Sequence, residues 1–329
     1  MTDPHPTVVV VAAETDLTAD LVVSHLVGHA TVLRLDPGNL DGKFEATGRF
    51  HTARWHSTLR HRERAAPVDE HCAVYWRKPT RPQAHADPDE RWRADENTTA
   101  LLGLLKAQPL RIWCNDPTTV SAARHKPAQL AAAARAGFTV PDTLLTSDPS
   151  AARAFIEEHD DRVVVKALTQ RHTTFVPTTR LRRTDDPSAI AGTIHCLQAL
   201  VGERRFDARV TVVDDRVFTA AITTDGHLDW RTAGTACHYT PIAAPADVEA
   251  ACVDHVRDLG LTYAALDFVV DEHQWNYLET NPAGEFGFVQ ARTDLPIARE
   301  IAHLLVRGPR GRVRPFRADP APAPARMSR

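Results

Sequence analysis

Three oxygen-bearing side chains late in the chain have the types and the spacing of a magnesium site. Asp267 lies in the apolar run LDFVV, and Glu279 and Asn281 stand two residues apart at the end of WNYLETN. The polar connector DEHQ between these runs has the length of a hairpin turn, so we predict two antiparallel strands. Two carboxylates and an amide oxygen are hard ligands that suit Mg²⁺, an ion that also keeps waters and nucleotide phosphates in its shell.

The register of this hairpin decides whether the three side chains share a face. Glu279 and Asn281 do, because residues two apart on a strand point the same way. Asp267 joins them only if it stands opposite Glu279, which requires a connection of three or five residues rather than four. We expect the odd-numbered connection. The alternative is that Asp267 and Glu279 are solvated strand positions and that Asn281 and Pro282 form an ordinary turn.

Three cationic residues precede this hairpin at the ends or faces of predicted elements. Lys126 opens the Ala-rich helix KPAQLAAAARAG, Lys166 ends the strand-like run RVVVKAL, and Arg209 lies in the hairpin FDARVTVVDDRVFTAAI, which turns at Asp214 and Asp215. On residue type alone, Lys166 either reaches solvent from a strand end or contacts a phosphate. Arg209 alone is expected to pair with a carboxylate across the strands.

The N-terminal region predicts a small parallel sheet. The run TVVVVAA at 7–13, the helix-periodic LTADLVVSHLVGH and a second run at 31–35 predict a strand, a helix and a strand. The first turn lacks G-x-G-x-x-G, so we do not expect this sheet to bind a nucleotide. Further on, AVYWRKPTRP carries Arg77, Lys78 and Arg81. This extended segment is either a peptide-docking edge or a strand that leaves the core through a basic turn.

Composition limits the class of protein. The 329 residues, 43% of them hydrophobic, suffice for two domains. A formal net charge of −3 gives no overall attraction to nucleic acid or anionic lipid. No apolar run approaches the roughly 20 residues of a membrane-spanning helix, and the N-terminus lacks a signal-peptide pattern, so a cytoplasmic location is the default expectation. Five scattered cysteines with no C-x-x-C pair indicate reduced thiols.

These motifs together resemble a known family. The stretch LDFVV…YLETNPAGEFGF is similar to the C-terminal signature of ATP-grasp ligases, and the order helix, VPDT, helix, VVVKAL resembles the N-terminal half of that fold. With YWRKP, FVPTTRLR and DWR, the resemblance extends over roughly residues 7 to 308 to the ATP-grasp maturases of ribosomal peptides, the microviridin and graspetide ligases, in particular to their actinobacterial type. It implies an α/β (α+β) chain in which an ATP-grasp fold follows a small N-terminal α/β domain.

The resemblance also implies a division of the chain. Residues 1–120 would be the N-terminal pre-ATP-grasp domain, which recognises a peptide leader. Residues 121–308 would be the ATP-grasp domain, with the nucleotide between the halves 121–200 and 201–308. The Pro/Arg/Ala-rich tail at 309–329 is expected to be disordered.

The family likeness assigns roles to individual residues. Asp267, Glu279 and Asn281 would hold the magnesium ions of ATP, two in number. Contacts to the nucleotide would come from Lys126, Lys166 and Arg209 at the phosphates and from the backbone of Gln198, Ala199, Leu200 and Val201 at the adenine. Arg209 and Arg231, the latter in the DWR element, would be the catalytic cations at the transferring phosphoryl group. Arg77, Lys78 and Arg81 would contact the peptide. The flap at 169–183 lacks glycine, so its side chains are expected to cover the phosphates.

The implied activity is ATP-dependent ligation within a ribosomal precursor peptide. Asp or Glu side chains of the core would be phosphorylated and then joined to Thr, Ser or Lys side chains as ω-ester or ω-amide rings. An ATP-grasp ligase for amino acids or small peptides would share the same catalytic residues and stays open as the alternative. A non-catalytic nucleotide- or peptide-binding module and a nucleic-acid-binding protein are the remaining readings. We expect neither a nucleic acid nor a membrane as partner, and a homodimer stays open.

Overall fold

The computed structural model describes residues 6–39, 42, 44–169, 176–232, 234–272 and 274–310, without the side chains of Pro187 and Thr235. The segments 170–175 and 311–329, which hold part of the predicted flap and nearly all of the predicted tail, lie outside this range. Among the described residues, no helix combines the length and the apolar composition that a bilayer crossing requires.

The N-terminal part of the chain builds the predicted parallel sheet. Its strands are β1 (Thr7–Val11), β2 (Thr31–Leu35), β6 (Cys72–Trp76) and β7 (Ile112–Cys114), in the order β2-β1-β6-β7. All three pairings are parallel, and helix α1 (Leu17–Leu26) connects β1 to β2. The predicted strand, helix and strand are therefore confirmed. The run of valines in β1 is fully buried, as expected of a strand covered on both faces.

A second, antiparallel sheet is inserted between β2 and β6. It consists of β3 (Phe44–His51), β4 (Arg54–His61) and β5 (Arg64–Val68). Helix α2 (Pro88–Lys106) follows β6, and its N-terminus is capped by the Asp87 carboxylate, which accepts from the backbone of Asp89 and Glu90. Helices α3 (Pro117–Ala123) and α4 (Lys126–Arg135) lead into the rest of the chain.

A four-stranded sheet forms one wall of the cavity that is described in the next subsection. Its strands are β8 (Thr143–Thr146), β9 (Val163–Lys166), β10 (Thr179–Leu181) and β11 (His195–Ala199), in the order β10-β9-β11-β8, and all its pairings are antiparallel. Helix α5 (Pro149–Glu158) packs on it through Phe155 and Ile156, which are buried. Asp148 caps this helix, with Pro149 in its first turn.

A five-stranded antiparallel sheet forms the opposite side. It contains β12 (Phe206–Val213), β13 (Arg216–Thr224), β14 (Cys237–Ile242), β15 (Tyr263–Val270) and β16 (Trp275–Asn281), in the order β14-β13-β12-β15-β16. The predicted hairpin of β12 and β13 is present, with a two-residue turn in which Asp214 has φ +58°. Helix α6 (Ala246–Asp258) covers the apolar face of this sheet.

The two last helices attach the five-stranded sheet to the N-terminal sheet. These are α7 (Gly287–Thr293) and α8 (Ile297–Arg307). One apolar cluster contains Val8 and Val10 of β1, Tyr263 of β15, and Ile301 and Leu305 of α8. Since these side chains are buried together, the five-stranded sheet is packed against the parallel sheet through α8.

Candidate active site

The three predicted metal ligands are brought together on one face of the β15–β16 hairpin. Asp267 pairs directly with Glu279, and Asn281 follows two residues later on the same face. The Nδ2 atom of Asn281 lies 3.0 Å from Oδ2 of Asp267 and 3.2 Å from Oε1 of Glu279. An amide beside two carboxylates is the donor set that a hard divalent cation requires, so these residues fit Mg²⁺.

The predicted pairing of Asp267 with Glu279 is present, but a different local structure produces it. Val270 pairs with Trp275, so the connection has four residues, and the prediction of an odd-numbered connection is wrong. A β-bulge supplies the missing residue instead: Phe268 pairs with Tyr277 but Asp267 pairs with Glu279, which leaves Leu278 as the extra residue on β16. A bulge shifts the alternation of one strand by one residue, and this shift turns Glu279 to the face of Asp267.

The two carboxylates differ in their charged surroundings. Burial raises the pKa of Asp267, and the neighbouring negative charge of Glu279 acts in the same direction against the attraction of Arg209. Burial also opposes ionisation of Glu279, but the cations Lys126 and Arg231 outweigh it and hold the pKa of Glu279 far below its usual range. Glu279 is therefore ionised at any physiological pH and ready to bind a cation.

Lys126 and a residue missed from the sequence attach helix α4 to this site. Nζ of Lys126, in the first turn of α4, lies 2.8 Å from Oε2 of Glu279. Gln129, one turn further on, is buried, and its side chain donates to the carbonyl of Thr280 (2.7 Å) and accepts from the Thr280 amide (3.1 Å). The only sequence signal for Gln129 is a polar side chain on the inner face of an Ala-rich helix.

Arg209 stands next to the metal ligands. It is the register partner of Asp267 on β12, and its Nη1 lies 2.8 and 2.9 Å from the two carboxylate oxygens of that residue. Its Nη2 donates to the carbonyl of Glu285 at 3.1 Å. The guanidinium is 6% exposed. The expected ion pair across the strands is thus present, and its partner is one of the predicted metal ligands.

A cavity of about 420 Å³ lies between the four-stranded and the five-stranded sheet. Its lining includes Gln198, Ala199, Leu200 and Val201, the segment predicted to contact adenine, together with Leu278. It also includes the charged residues Lys166, Arg231, Asp267 and Glu279. A cavity that joins a largely uncharged segment to several charged residues suits a nucleoside joined to phosphates.

Two backbone N–H groups of the predicted adenine segment are engaged within the protein. The amide of Ala199 donates to the carbonyl of Asp142 at 2.8 Å, and the amide of Leu200 donates to the carbonyl of Arg162 at 2.7 Å. A base in this cavity would therefore be recognised through other groups of the segment. The Gln198 side chain is oriented by Thr143, to which it donates (2.9 Å), and by Lys166, from which it accepts (2.6 Å).

Arg231 is a further charged residue of the cavity lining. Its Nε donates to Oδ1 of Asp229 at 2.9 Å, and its Nη1 lies 3.5 Å from Oε1 of Glu279. The other oxygen of Asp229 accepts from the backbone amide of Thr178 at 3.3 Å, so the described end of the predicted flap is anchored beside Arg231.

Asp207 is a further cavity residue that the sequence did not single out. It lies two residues before Arg209 on β12 and therefore on the same face. Burial raises its pKa to about 6, although Arg204 lies 2.8 Å from its carboxylate. The Asp-x-Arg spacing on a predicted strand was the available signal, because such residues share one face.

The basic segment that follows β6 is partly buried against residues 283–285. The guanidinium of Arg77 is 2% exposed and contacts the segment 283–285, and Lys78 pairs with Glu285 as well. Arg81 is exposed in the turn that follows. The Arg77 guanidinium thus joins the end of β6 to the segment 283–285, whereas Lys78 and Arg81 are exposed.

Comparisons with known proteins support the family likeness. No protein-family model and no curated protein matches the sequence. Among solved structures, macrocyclase MdnC from Microcystis aeruginosa MRC, bound with precursor peptide MdnA, is 21% identical with a TM-score of 0.78 over 91% of this chain and 99% of that one. Macrocyclase MdnB from the same organism is 25% identical with a TM-score of 0.74 over 92% and 100% of the two chains. ATP-grasp ligase PsnB, complexed with a phosphomimetic variant of minimal precursor, Mg and ADP, is 25% identical with a TM-score of 0.72 over 92% and 99%.

The chain has the ATP-grasp fold, as predicted. The resemblance to the graspetide maturases is confirmed by these structural matches, which extend over almost the whole length of both partners in each case.

Proposed function

We propose that this protein is an ATP-dependent, ADP-forming peptide ligase. It transfers the γ-phosphoryl group of ATP to an Asp or Glu side chain of a ribosomal precursor peptide. A Thr, Ser or Lys side chain of the same peptide then attacks the acyl phosphate and releases phosphate. The product is an ω-ester or ω-amide ring, and each ring costs the peptide one water.

One observation carries this proposal more than any other. One cavity is lined both by Asp267 and Glu279, which share a face with Asn281, and by the predicted adenine segment. Both predicted catalytic arginines reach this face, Arg209 through Asp267 and Arg231 through Glu279. The site thus combines a place for a base, a place for Mg²⁺ and fixed cations where phosphate charge spreads during transfer.

Each residue has a physical task in the proposed reaction. Lys126, Lys166 and Arg209 offset the negative charge of the phosphates, which lets an anionic carboxylate approach an anionic phosphate. Mg²⁺ bound by Asp267, Glu279 and Asn281 supplies further charge neutralisation. Because both reacting side chains belong to one bound peptide, the ring closure is effectively unimolecular, which suits a weak hydroxyl nucleophile.

The proposal assigns roles to the parts of the chain. Residues 1–120 form the N-terminal domain and take part in recognition of the peptide leader, residues 121–308 carry out the chemistry, and residues 309–329 are a tail. All five cysteines are free thiols, which agrees with a reducing compartment, so we place the reaction in the cytoplasm, where ATP is available.

The decisive experiment is the intact mass of a candidate precursor peptide after incubation with the protein, ATP and Mg²⁺. We expect successive losses of one water, each matched by one ADP. Asp267→Asn is the control because it keeps the shape of the side chain and removes the carboxylate charge, and it should leave the mass unchanged. An unchanged mass with the native protein, together with ADP release on addition of free amino acids, would favour the small-molecule ligase instead.

A further inference from the structure

Arg77 contacts the loop that follows the predicted metal ligands at three successive residues, Ala283, Gly284 and Glu285. Arg77 directly follows β6, and its Nη1 donates to the carbonyls of Ala283 (3.2 Å) and Gly284 (3.1 Å). Its Nη2 donates to the Glu285 carboxylate, and its Nε lies 3.3 Å from Oδ2 of Asp16. Three nitrogens of one buried guanidinium are thus directed to two parts of the chain.

Glu285 is the acceptor on which side chains from helix α1 and from the segment after β6 converge. Besides Arg77, Lys78 donates to it, and the hydroxyl of Thr18 donates to Oε2 at 2.8 Å. Burial opposes ionisation, yet Arg77 and Lys78 hold the pKa of Glu285 below its usual range. The carboxylate is therefore charged and fixed from three directions, and the loop 282–285 has little freedom to move away from the parallel sheet.

The other side of the same loop faces Arg209. The carbonyl of Glu285 accepts from Nη2 of Arg209 at 3.1 Å, while the Tyr263 hydroxyl donates to the carbonyl of Gly284 at 2.7 Å. A Cβ atom on Gly284 would lie 2.9 Å from Nη2 of Arg209 and 2.7 Å from Cβ of Ala265. The loop therefore fits between Arg77 and Arg209 only because residue 284 has no side chain.

We propose that Arg77 and Glu285 are positioning residues for Arg209, an inference that rests on the phosphate-contacting role proposed above for Arg209. Asp267 fixes Nη1 of Arg209, and the Glu285 carbonyl fixes Nη2, so the plane of the guanidinium is set by two contacts. Arg77 holds that carbonyl in place from the far side of the loop. The N-terminal sheet thereby contributes to the geometry at the γ-phosphate without touching the nucleotide.

A double-mutant cycle on phosphoryl transfer tests this relation. Arg77→Lys keeps a positive charge but loses the fork that holds the two carbonyls. We expect about a 10- to 100-fold lower kcat for ADP formation with an acidic peptide, because small misplacement of a catalytic group costs rate. The affinity for Mg²⁺ and AMPPNP, measured by calorimetry, should change less than about threefold.

The cycle is closed with Arg209→Lys, which keeps the charge but loses the contact to the Glu285 carbonyl. In that background, Arg77→Lys should lower kcat by less than about twofold, since the group through which it acts is already displaced. If the fold-reductions in kcat caused by the two substitutions multiply in the double variant, Arg77 stabilises the fold independently of Arg209. The proposal would then be overturned.

A glycine pair provides a matched test in the same assay. Gly284→Ala places a methyl group against Arg209 and should reduce kcat to a similar extent as Arg77→Lys. Gly103→Ala, on the exposed face of α2 with no atom within 4 Å of the added Cβ, should leave kcat unchanged. Full activity of Gly284→Ala would contradict the close approach on which the inference depends.

Amide hydrogen exchange of the ligand-free protein separates this inference from the proposed function. Arg77→Lys should speed exchange at the amides of residues 283–285 in this loop and leave the sheet of β8, β9, β10 and β11 unchanged. Unchanged exchange in the loop would overturn the positioning role whatever the substrate. Native protein that forms no ADP with any peptide would instead refute the proposed function.

Discussion

Lys166 illustrates how a single residue can be prepared for an anionic ligand. Burial and the nearby charge of Lys126 lower the pKa of the Lys166 ammonium to about 8. Its hydrogen bond to Gln198 links it to the predicted adenine segment, and both residues line the cavity. A partly desolvated lysine gains more from a phosphate than a solvated one does, because the anion restores the stabilisation that burial removed.

We therefore expect nucleotide affinity to depend on pH around this value. Above pH 8 the free protein loses the Lys166 proton, which must be taken up again when phosphate binds, so the Kd for Mg²⁺ and AMPPNP should rise about tenfold between pH 7 and pH 9. Calorimetry in buffers of different ionisation enthalpy would report the proton uptake directly. Lys166→Met should bind more weakly at pH 7 and show a flatter profile. An equally steep profile in that variant would assign the titration to another group.

At the scale of elements, the sheet and its covering helix depend on buried polar groups as well as on apolar packing. His255 of α6 lies with its ring edge-on to Phe138 and Tyr277, at 5.7 and 5.3 Å between centroids, and its Nε2 lies 2.9 Å from the hydroxyl oxygen of Thr280. Burial lowers the pKa of His255 to about 4. The imidazole is therefore neutral in the folded protein at neutral pH.

The buried His255 of α6 should make the free energy of unfolding fall at acid pH. Between pH 6.5 and 4 the unfolded chain binds a proton at His255 that the folded chain does not, so stability falls as the pH falls through this window, by about 3 kcal/mol at most. Urea unfolding at pH 7, 5.5 and 4.5 measures how the free energy of unfolding changes with pH. In His255→Leu this free energy should fall less steeply as the pH falls. An equal pH dependence in the two proteins would show that carboxylates alone account for the acid dependence.

The two hairpins of the five-stranded sheet show which features of strand pairing can be predicted from the sequence. In β12 and β13, alternation on both sides of Asp214 and Asp215 determines the register, and the structure agrees. In β15 and β16, the predicted partner of Asp267 is correct, but the predicted odd-numbered connection is wrong, because a bulge sets the register. Leu278 looks like any apolar strand residue, and nothing local distinguishes a bulge from a shift in the connection.

Contacts between distant parts of the chain were beyond sequence reasoning for a different reason. Arg77 and Glu285 are 208 residues apart, and Gln129 and Thr280 are 151 apart. Each side chain has many equally plausible partners until the sheets are assembled. The motif likeness could indicate which residues belong to the site, but it could not indicate which of them are supported from the N-terminal sheet.

At the scale of the whole molecule, one buried amide joins the N-terminal sheet to the hairpin of β15 and β16. Asn115 follows β7, and its Nδ2 donates to the carbonyls of Tyr263 (2.7 Å) and Pro282 (2.9 Å). Its Oδ1 accepts from the backbone amides of Thr262 (2.8 Å) and Tyr263 (3.2 Å). All the polar atoms of this side chain are thus satisfied by residues at the start of β15 and the end of β16.

Removing this amide should destabilise the entire protein. Asn115→Ala leaves two buried carbonyls and two buried N–H groups without their partner, and we expect a loss of about 3 kcal/mol in the free energy of unfolding. Asn97→Ala in helix α2 is the matched control and should change it by less than about 0.5 kcal/mol. Chemical unfolding followed by circular dichroism measures both, and equal stabilities would show that the junction is held by apolar packing alone.

Gly284 also offers a criterion for sorting related chains whose sequences have diverged. Any relative with a larger residue at this position must make room both at Ala265, which is already nearly the smallest residue, and at the arginine beside it. Relatives that keep both carboxylates but lack this glycine are therefore candidates for inactive copies that retain nucleotide binding without transfer. A single backbone position would then separate enzymes from their non-catalytic descendants before any assay is performed.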